Sequence, residues 1–188
     1  MFTPRTWTLV TMVLAAAATR IVPHDWNFTP VGAICLFGGA SFTNRWAAVL
    51  VPLIALVLSD VYLALAVYGF TGFQVMAMSY VLFGLTAVLG MTLRGRTSFW
   101  RVSGTAVLAA ALFFVLSNFQ AWLTGYEGYP YTLAGLATCF LAALPFAQSM
   151  LLGNLFYSAV LFGGWELLQM LVPNLAERRV ATAGVIAR

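Results

Sequence analysis

Charge is scarce in this sequence: 7% of its 188 residues are charged, and every basic side chain is arginine. An ordinary soluble domain is about a quarter charged, so water is not the solvent for most of this surface. With 62% hydrophobic residues, the chain reads as a protein of the bilayer. Histidine occurs once, as His24, and cysteine twice, as Cys35 and Cys139, each inside an apolar run. No CxxC or Cys/His spacing is present, so neither a disulfide framework nor a structural zinc site is expected, and both thiols read as buried and free. HExxH, a Gly-rich phosphate loop, a Walker motif and any Ser/His/Asp set are also lacking. With no nucleophile beside a matched base, the sequence argues against an enzyme. Internal repeats, low-complexity tracts and soluble linkers are missing too. The net charge of +4 does not mark a nucleic-acid binder, because the arginines lie at helix ends and not in the clustered stripe that phosphates require.

The chain has room for about six spans of roughly 20 residues and no separate soluble domain. The expectation is an all-α, polytopic protein with a single transmembrane domain over 1–188. Its first helix, over residues 7–22, is short and alanine-rich, and the row Thr11, Ala15, Thr19 marks a face open to close approach. Arg5 ahead of an apolar stretch outlines a secretory leader, but Thr19, Arg20 and Ile21 continue the run toward a Pro-rich loop, so this helix reads as retained. Residues 31–42 are Gly/Ala-rich and too short to cross untilted, which places them inside the bundle. Longer helices are predicted over 46–68, 73–93 and 100–123. Pro145 divides the stretch 132–172 into a short outer or re-entrant piece and a last helix over 146–172. With six crossings, Arg5, Arg45, Arg94, Arg96, Arg101, Arg178, Arg179 and Arg188 fall inside and only Arg20 outside. The positive-inside rule then puts both termini in the cytoplasm of a bacterial inner membrane.

Two outer loops carry the polar chemistry. The first, with His24, Asp25, Trp26, Asn27 and Phe28, suits capture of a polar, ring-containing ligand, or else forms an interfacial aromatic belt. The second contains Tyr126, Glu127, Tyr129 and Tyr131, residues expected at any interface. Within the membrane, Asp60 is the most informative residue, because an intramembrane acid costs at least ~2.5 kcal/mol and requires a partner. Asn118 and Arg20 are the candidates at comparable depth. A polar clamp between helices, a ligand contact and a proton relay are the three readings of that acid. Gln148, Ser149 and Asn154 read as interhelical hydrogen-bonding groups, with Glu166 near the inner end of the last helix. His24 has no second ligand at coordinating spacing and could serve only as a ligand to a metal already held by a cofactor.

The run Arg20-Ile21-Val22-Pro23-His24-Asp25-Trp26-Asn27-Phe28-Thr29-Pro30-Val31-Gly32-Ala33, followed by Leu36-Phe37-Gly38-Gly39-Ala40, resembles an uncharacterised family of small bacterial membrane proteins. The match extends to Pro52, Ser59-Asp60, Ser117-Asn118-Phe119, Trp122 and Pro145-Phe146. That family in turn resembles the substrate-binding S components of energy-coupling-factor vitamin transporters, including the solitary cobalamin-uptake type. The resemblance implies six helices, cytoplasmic termini and an outward pocket under the loops after helices 1, 3 and 5. His24, Asp25, Trp26, Asn27 and Phe28, with Asn118, Trp122, Tyr126 and Glu127, would line it, and Asp60 would anchor its floor. Cobalamin is the leading candidate as transported ligand, and no intrinsic cofactor is expected. An Ala-xxx-Ala docking face on helix 1, which S components present to an ATP-driven module, is met only approximately by Thr11, Ala15 and Thr19. The cobalt-engaging cysteine of the solitary type has no counterpart in Tyr68-Gly69-Phe70-Thr71-Gly72-Phe73. The alternative is a non-catalytic subunit or assembly factor of a larger membrane complex, with the Gly/Ala-rich helices as partner surfaces. A cysteine engineered after Val172 is expected to react with membrane-impermeant thiol reagents only from the cytoplasmic side; labelling from the periplasm would reverse the assigned orientation.

Overall fold

An apolar helix without a polar face is stable only where every side of it is covered, and the segment after Pro30 is of this kind. In the computed structural model, which describes residues 3–23, 26–68, 77–125 and 128–176, it is the hub of the bundle. Six helices and no strand occur among the described residues: α1 (Pro4–Ala18), α2 (Val31–Ser41), α3 (Arg45–Leu63), α4 (Ala77–Gly90), α5 (Phe99–Leu123) and α6 (Leu133–Leu171). Helix α1 tightens into a 3-10 turn over Thr19–Ile21, α4 into another over Met91–Leu93, and α3 runs on through a π-helical turn, Ala64–Tyr68.

Helix α2 touches all five other helices. Its residues Ala33, Ile34, Cys35, Leu36 and Phe37 have no exposed surface. Glycine makes that enclosure possible. A Cβ on Gly39 would collide with the Ala87 carbonyl of α4, and one on Gly90 would meet the backbone of Leu36. The two backbones therefore approach as closely as small residues allow in membrane bundles. On the other side, Gly38 accommodates Pro52 of α3. Phe37 completes the seam with α6, edge-on to Phe162 at 5.4 Å and to Trp165 at 6.5 Å between centroids.

The last carbonyls of a helix have no partner within it, and two arginines supply them here. Arg94 donates from Nε to the Gly39 carbonyl at 3.0 Å and from Nη2 to that of Phe42 at 2.8 Å. Arg5 donates to the carbonyls of Ser41 at 3.2 Å and Leu175 at 3.0 Å, with its guanidinium 5.1 Å from the Trp165 ring centre. A cation at a helix C-terminus also interacts favourably with the helix dipole.

Three helical stretches are long and apolar enough to cross a membrane: Arg45–Val67, Phe99–Leu123 and Leu133–Leu171. Six helices are present among the described residues, but only three have the length of a span: α1 and α2 are short, as expected, and α4 is shorter within the described residues than the span predicted over 73–93. Segments Val31–Ser41 and Met78–Leu93 are apolar and shorter, as the buried position of α2 requires. The division of 132–172 at Pro145 is corrected outright. Helix α6 is continuous for 39 residues with Pro145 inside it. Proline is tolerated within membrane helices because local adjustment and neighbouring groups re-satisfy the carbonyl it frees. At 1.5 Å per residue α6 is about 58 Å long, well beyond a hydrocarbon core of ~30 Å. The row on α1 is also reassigned: Thr11 and Ala15 lie exposed, and the helix packs inward through Leu9, Val13, Ala16 and Ala17.

Gly39→Ala is expected to destabilise the protein by about 1–3 kcal/mol, because a backbone carbonyl cannot move aside as a side chain can. Gly104→Ala on α5, where a Cβ meets nothing within 4 Å, is the matched control. Thermal unfolding of the detergent-solubilised pair should separate them, and equal midpoints would refute the close-packing account.

Candidate ligand cavity and its polar clamp

Asp60 sits near the end of α3 with its side chain 5% exposed, and it is not alone there. Arg20, carried on the 3-10 turn that ends α1, pairs through Nη2 with Asp60 Oδ1 at 2.5 Å. Its Nη1 donates to Ser59 Oγ at 2.5 Å, and Ser59 donates in turn to the Leu56 carbonyl at 2.8 Å. From α4, the Tyr80 hydroxyl donates to Asp60 Oδ2 at 2.5 Å. The acid thus meets a cation on one oxygen and a hydroxyl on the other, so neither oxygen of the buried carboxyl lacks a partner. Of the two partners proposed for Asp60, Arg20 is the one observed. Asn118 spends its amide on its own helix, donating to the Phe114 carbonyl at 2.8 Å.

Arg20 has five N–H donors, and the clamp leaves some of them for the space beside it. That space is a cavity of about 200 Å³ between the end of α1, the start of α2, and α4, α5 and α6. Arg20, Asn27, Thr29, Thr86 and Asn154 give it polar groups, and Val31, Phe83, Ala109, Ala110, Phe113 and Met150 give it apolar walls. Phe83 and Phe113 stack almost parallel, 5.2 Å apart and 6° from coplanar, and Tyr80 packs edge-on against Phe83. The clamp and the aromatic wall are therefore joined through α4. Asn27 reaches the cavity rim from a left-handed backbone conformation, φ 62°, which asparagine adopts more readily than most residues. A larger hollow, about 710 Å³, lies at the other end of α2. Its two arginines, Arg5 and Arg94, are the ones committed to the terminal carbonyls of α2, so it is the weaker candidate for a ligand.

The ten residues expected to line a pocket separate in space. Asn27 lines the cavity, and Asp60 acts on it by holding Arg20. Trp26 is 83% exposed and overlies Pro145, Phe146 and Ser149 instead. Phe28 packs on Phe156 and Tyr157 of α6 at 5.7 and 5.8 Å. Trp122 bonds the Pro130 carbonyl at 2.9 Å and packs against Tyr131, so it closes the α5–α6 connection and does not line the cavity. Asn118 is likewise outside it, beside Cys139, whose thiol donates to the Asn118 carbonyl at 3.5 Å. Asn118 and Trp122 both sit further along α5 than Phe113, the last residue of that helix to line the cavity. His24, Asp25, Tyr126 and Glu127 lie outside the described residues, and with His24 goes the suggested ligand to a cofactor-held metal.

Nothing in the amino-acid pattern marked out the aromatic wall, since Phe83 and Phe113 are apolar residues in apolar helices. Asn154 did stand out, and its assignment as an interhelical hydrogen-bonding group holds for one half of its amide. The Nδ2 donates to the Ala106 carbonyl of α5 at 2.8 Å, but Oδ1 is buried without a partner.

Over residues 1–175 the chain matches the model of a family of unknown function, DUF6580. It belongs to that family. No curated protein and no solved structure matches it.

Asp60→Asn leaves the Arg20 guanidinium buried beside a neutral amide and is expected to cost about 3–5 kcal/mol. Pairing it with Arg20→Gln should recover part of that loss, because no unpaired charge remains. Unfolding midpoints of the single and double variants decide the matter; a double variant no better than Asp60→Asn would show that the pair is not the stabilising unit.

Proposed function

We propose that this chain is an S-component-like membrane protein that captures a small, ring-containing micronutrient of vitamin type for uptake. The observation that carries the reading is the formed cavity beside Arg20: a polar end held by a buried ion pair, aromatic walls, and a position at the head of an otherwise apolar bundle. A few placed polar groups in an apolar, concave, preformed site are the usual make-up of small-molecule sites. In this reading the helices form six crossings of a bacterial inner membrane with cytoplasmic termini. The cavity then opens toward the outer face and the Arg5/Arg94 end toward the cytoplasm. Arg20, the only arginine on the outer side, is neutralised by Asp60 and so does not weigh against that orientation.

Size separates the candidate ligands. A cavity of about 150 Å³ holds a benzene molecule, so about 200 Å³ suits a single or fused ring. Cobalamin, built on a corrin macrocycle, is far larger, and the reading accordingly favours the smaller vitamins and their precursors. Exposed Thr11 and Ala15 on α1 leave a small-residue face free for an energising module. The alternative, a non-catalytic subunit or assembly factor of a larger complex, draws on the exposed apolar surface of α6, where Leu133, Leu141 and Leu144 are each more than half exposed.

Native mass spectrometry of protein purified from cells grown on rich medium is expected to reveal a co-purified small molecule. Ala110→Leu, which fills the cavity from its wall, should release that molecule without unfolding the bundle. Repeatedly empty wild-type preparations would overturn the transporter reading, and stable co-purification with a defined complex, undisturbed by Ala110→Leu, would favour the alternative.

A further inference from the structure

The hollow at the C-terminal end of α2 offers little to a small ligand by hydrogen bonding, because Arg5 and Arg94 donate to backbone carbonyls there. Their charge is not used up in the same way. Both arginines line the hollow, and against them stand the partial negative charge of the α2 C-terminus and the carboxylate of Glu166. Glu166 is exposed on α6 and makes no hydrogen bond or ion pair with any described residue. An acid in an apolar helix without a partner in its own chain calls for one from outside it. The hollow thus carries both signs of charge and is close to neutral as a whole, which suits a zwitterion better than an anion.

The hollow also continues sideways. A second recess, about 490 Å³, runs between α5 and α6, and Thr97, Phe162 and Glu166 line both spaces. Val102, Val107, Leu155 and Ala159 make this groove mainly apolar. Val107, Ala159 and Gly163 are exposed, so it opens to the surroundings of the bundle, and a Cβ on Gly163 would meet nothing within 4 Å. Next to Thr97, Phe99 and Trp100 of the same groove are 70% and 81% exposed, as aromatic residues are at the headgroup level of a membrane. A two-signed polar hollow joined to an open apolar groove has the shape of an amphiphile.

Given a chain that lies in a bilayer, and independently of the cavity beside Arg20, we infer that this end of the molecule binds one phospholipid of the phosphatidylethanolamine type. Its ammonium group pairs with Glu166, its phosphate lies in the field of Arg5 and Arg94, and one acyl chain follows the α5–α6 groove. An acidic phospholipid brings the phosphate without the ammonium and leaves Glu166 unpaired.

Native mass spectrometry of the delipidated full chain, titrated with dioleoyl phosphatidylethanolamine or dioleoyl phosphatidylglycerol, tests this. A single phosphatidylethanolamine is expected to bind about five-fold more tightly than phosphatidylglycerol, the upper range for an exposed ion pair. Glu166→Gln should remove that preference. Gly163→Leu, which grows into the groove from a position with free space, should weaken binding of both lipids, and glycerophosphoethanolamine, the same headgroup without chains, should compete poorly. Equal or tighter binding of phosphatidylglycerol, or a preference unchanged in Glu166→Gln, overturns the headgroup assignment. Binding unchanged in Gly163→Leu, or full competition by glycerophosphoethanolamine, overturns the groove, and graded uptake of many equivalent lipids overturns the site itself.

Discussion

The structure depends on enclosing α2, a helix of 11 residues that has no face to give to solvent or lipid. Only glycine and alanine at its contacts let the neighbouring helices come close enough, and the collision that a Cβ on Gly39 or Gly90 would cause shows how little room is left. A buried helix also brings unsatisfied backbone groups inside at both ends. The two ends are treated differently. At the C-terminal end Arg5 and Arg94, from α1 and the turn after α4, occupy the carbonyls with direct hydrogen bonds. At the N-terminal end no side chain caps the helix, and a cavity takes the place of a cap.

That asymmetry gives the molecule its polarity. The closed end is held by arginines that donate to backbone carbonyls, and the open end by one that is held by side chains of α3. Arg20 is held by Asp60 and Ser59 of α3, and Asp60 in turn by Tyr80 of α4, so the guanidinium is ordered without a ligand. Preorganisation of this kind lowers the entropy lost on binding. In the proposed function, stability and recognition share the same ion pair. The clamp reading and the ligand reading of Asp60 are therefore not rivals: the acid ties α1, α3 and α4 together and, by doing so, sets the guanidinium at the cavity.

Much of this was legible beforehand where a single residue violated its surroundings. Asp60 in an apolar helix demanded a partner, and Arg20 was one of two candidates at the right depth. Glycine and alanine in a stretch too short to span pointed to the buried position of α2. Both boundaries of α5 and the start of α3 fell within a residue of those expected, whereas α3 ends at Leu63 and reaches the expected end at 68 only through the π-helical turn Ala64–Tyr68. Legibility failed where the evidence was a loop composition. Trp26, Phe28, Asn118 and Trp122 are the aromatic and amide residues one would choose for a pocket, but Trp26 is left exposed and the others are spent on packing against α6, on their own helix and on the α5–α6 connection. Pro145 misled for a related reason: a local preference of about 3 kcal/mol was outweighed in a helix that continues on both sides.

Composition by itself pointed to a helical, strongly apolar chain, with an acid requiring a partner and a short helix requiring enclosure. Those conclusions follow from transfer energies, which depend on residue type and hardly on the fold. Which helices meet was decided by the tertiary structure alone. It brought Phe83 to Phe113, turned Asn154 toward Gly32, and left Oδ1 without a donor. Residues 32 and 154 are separated by more than a hundred positions, and an apolar helix looks the same in sequence on whichever side it packs. A cavity is the space left between such helices, so it has no residue of its own by which a sequence could announce it.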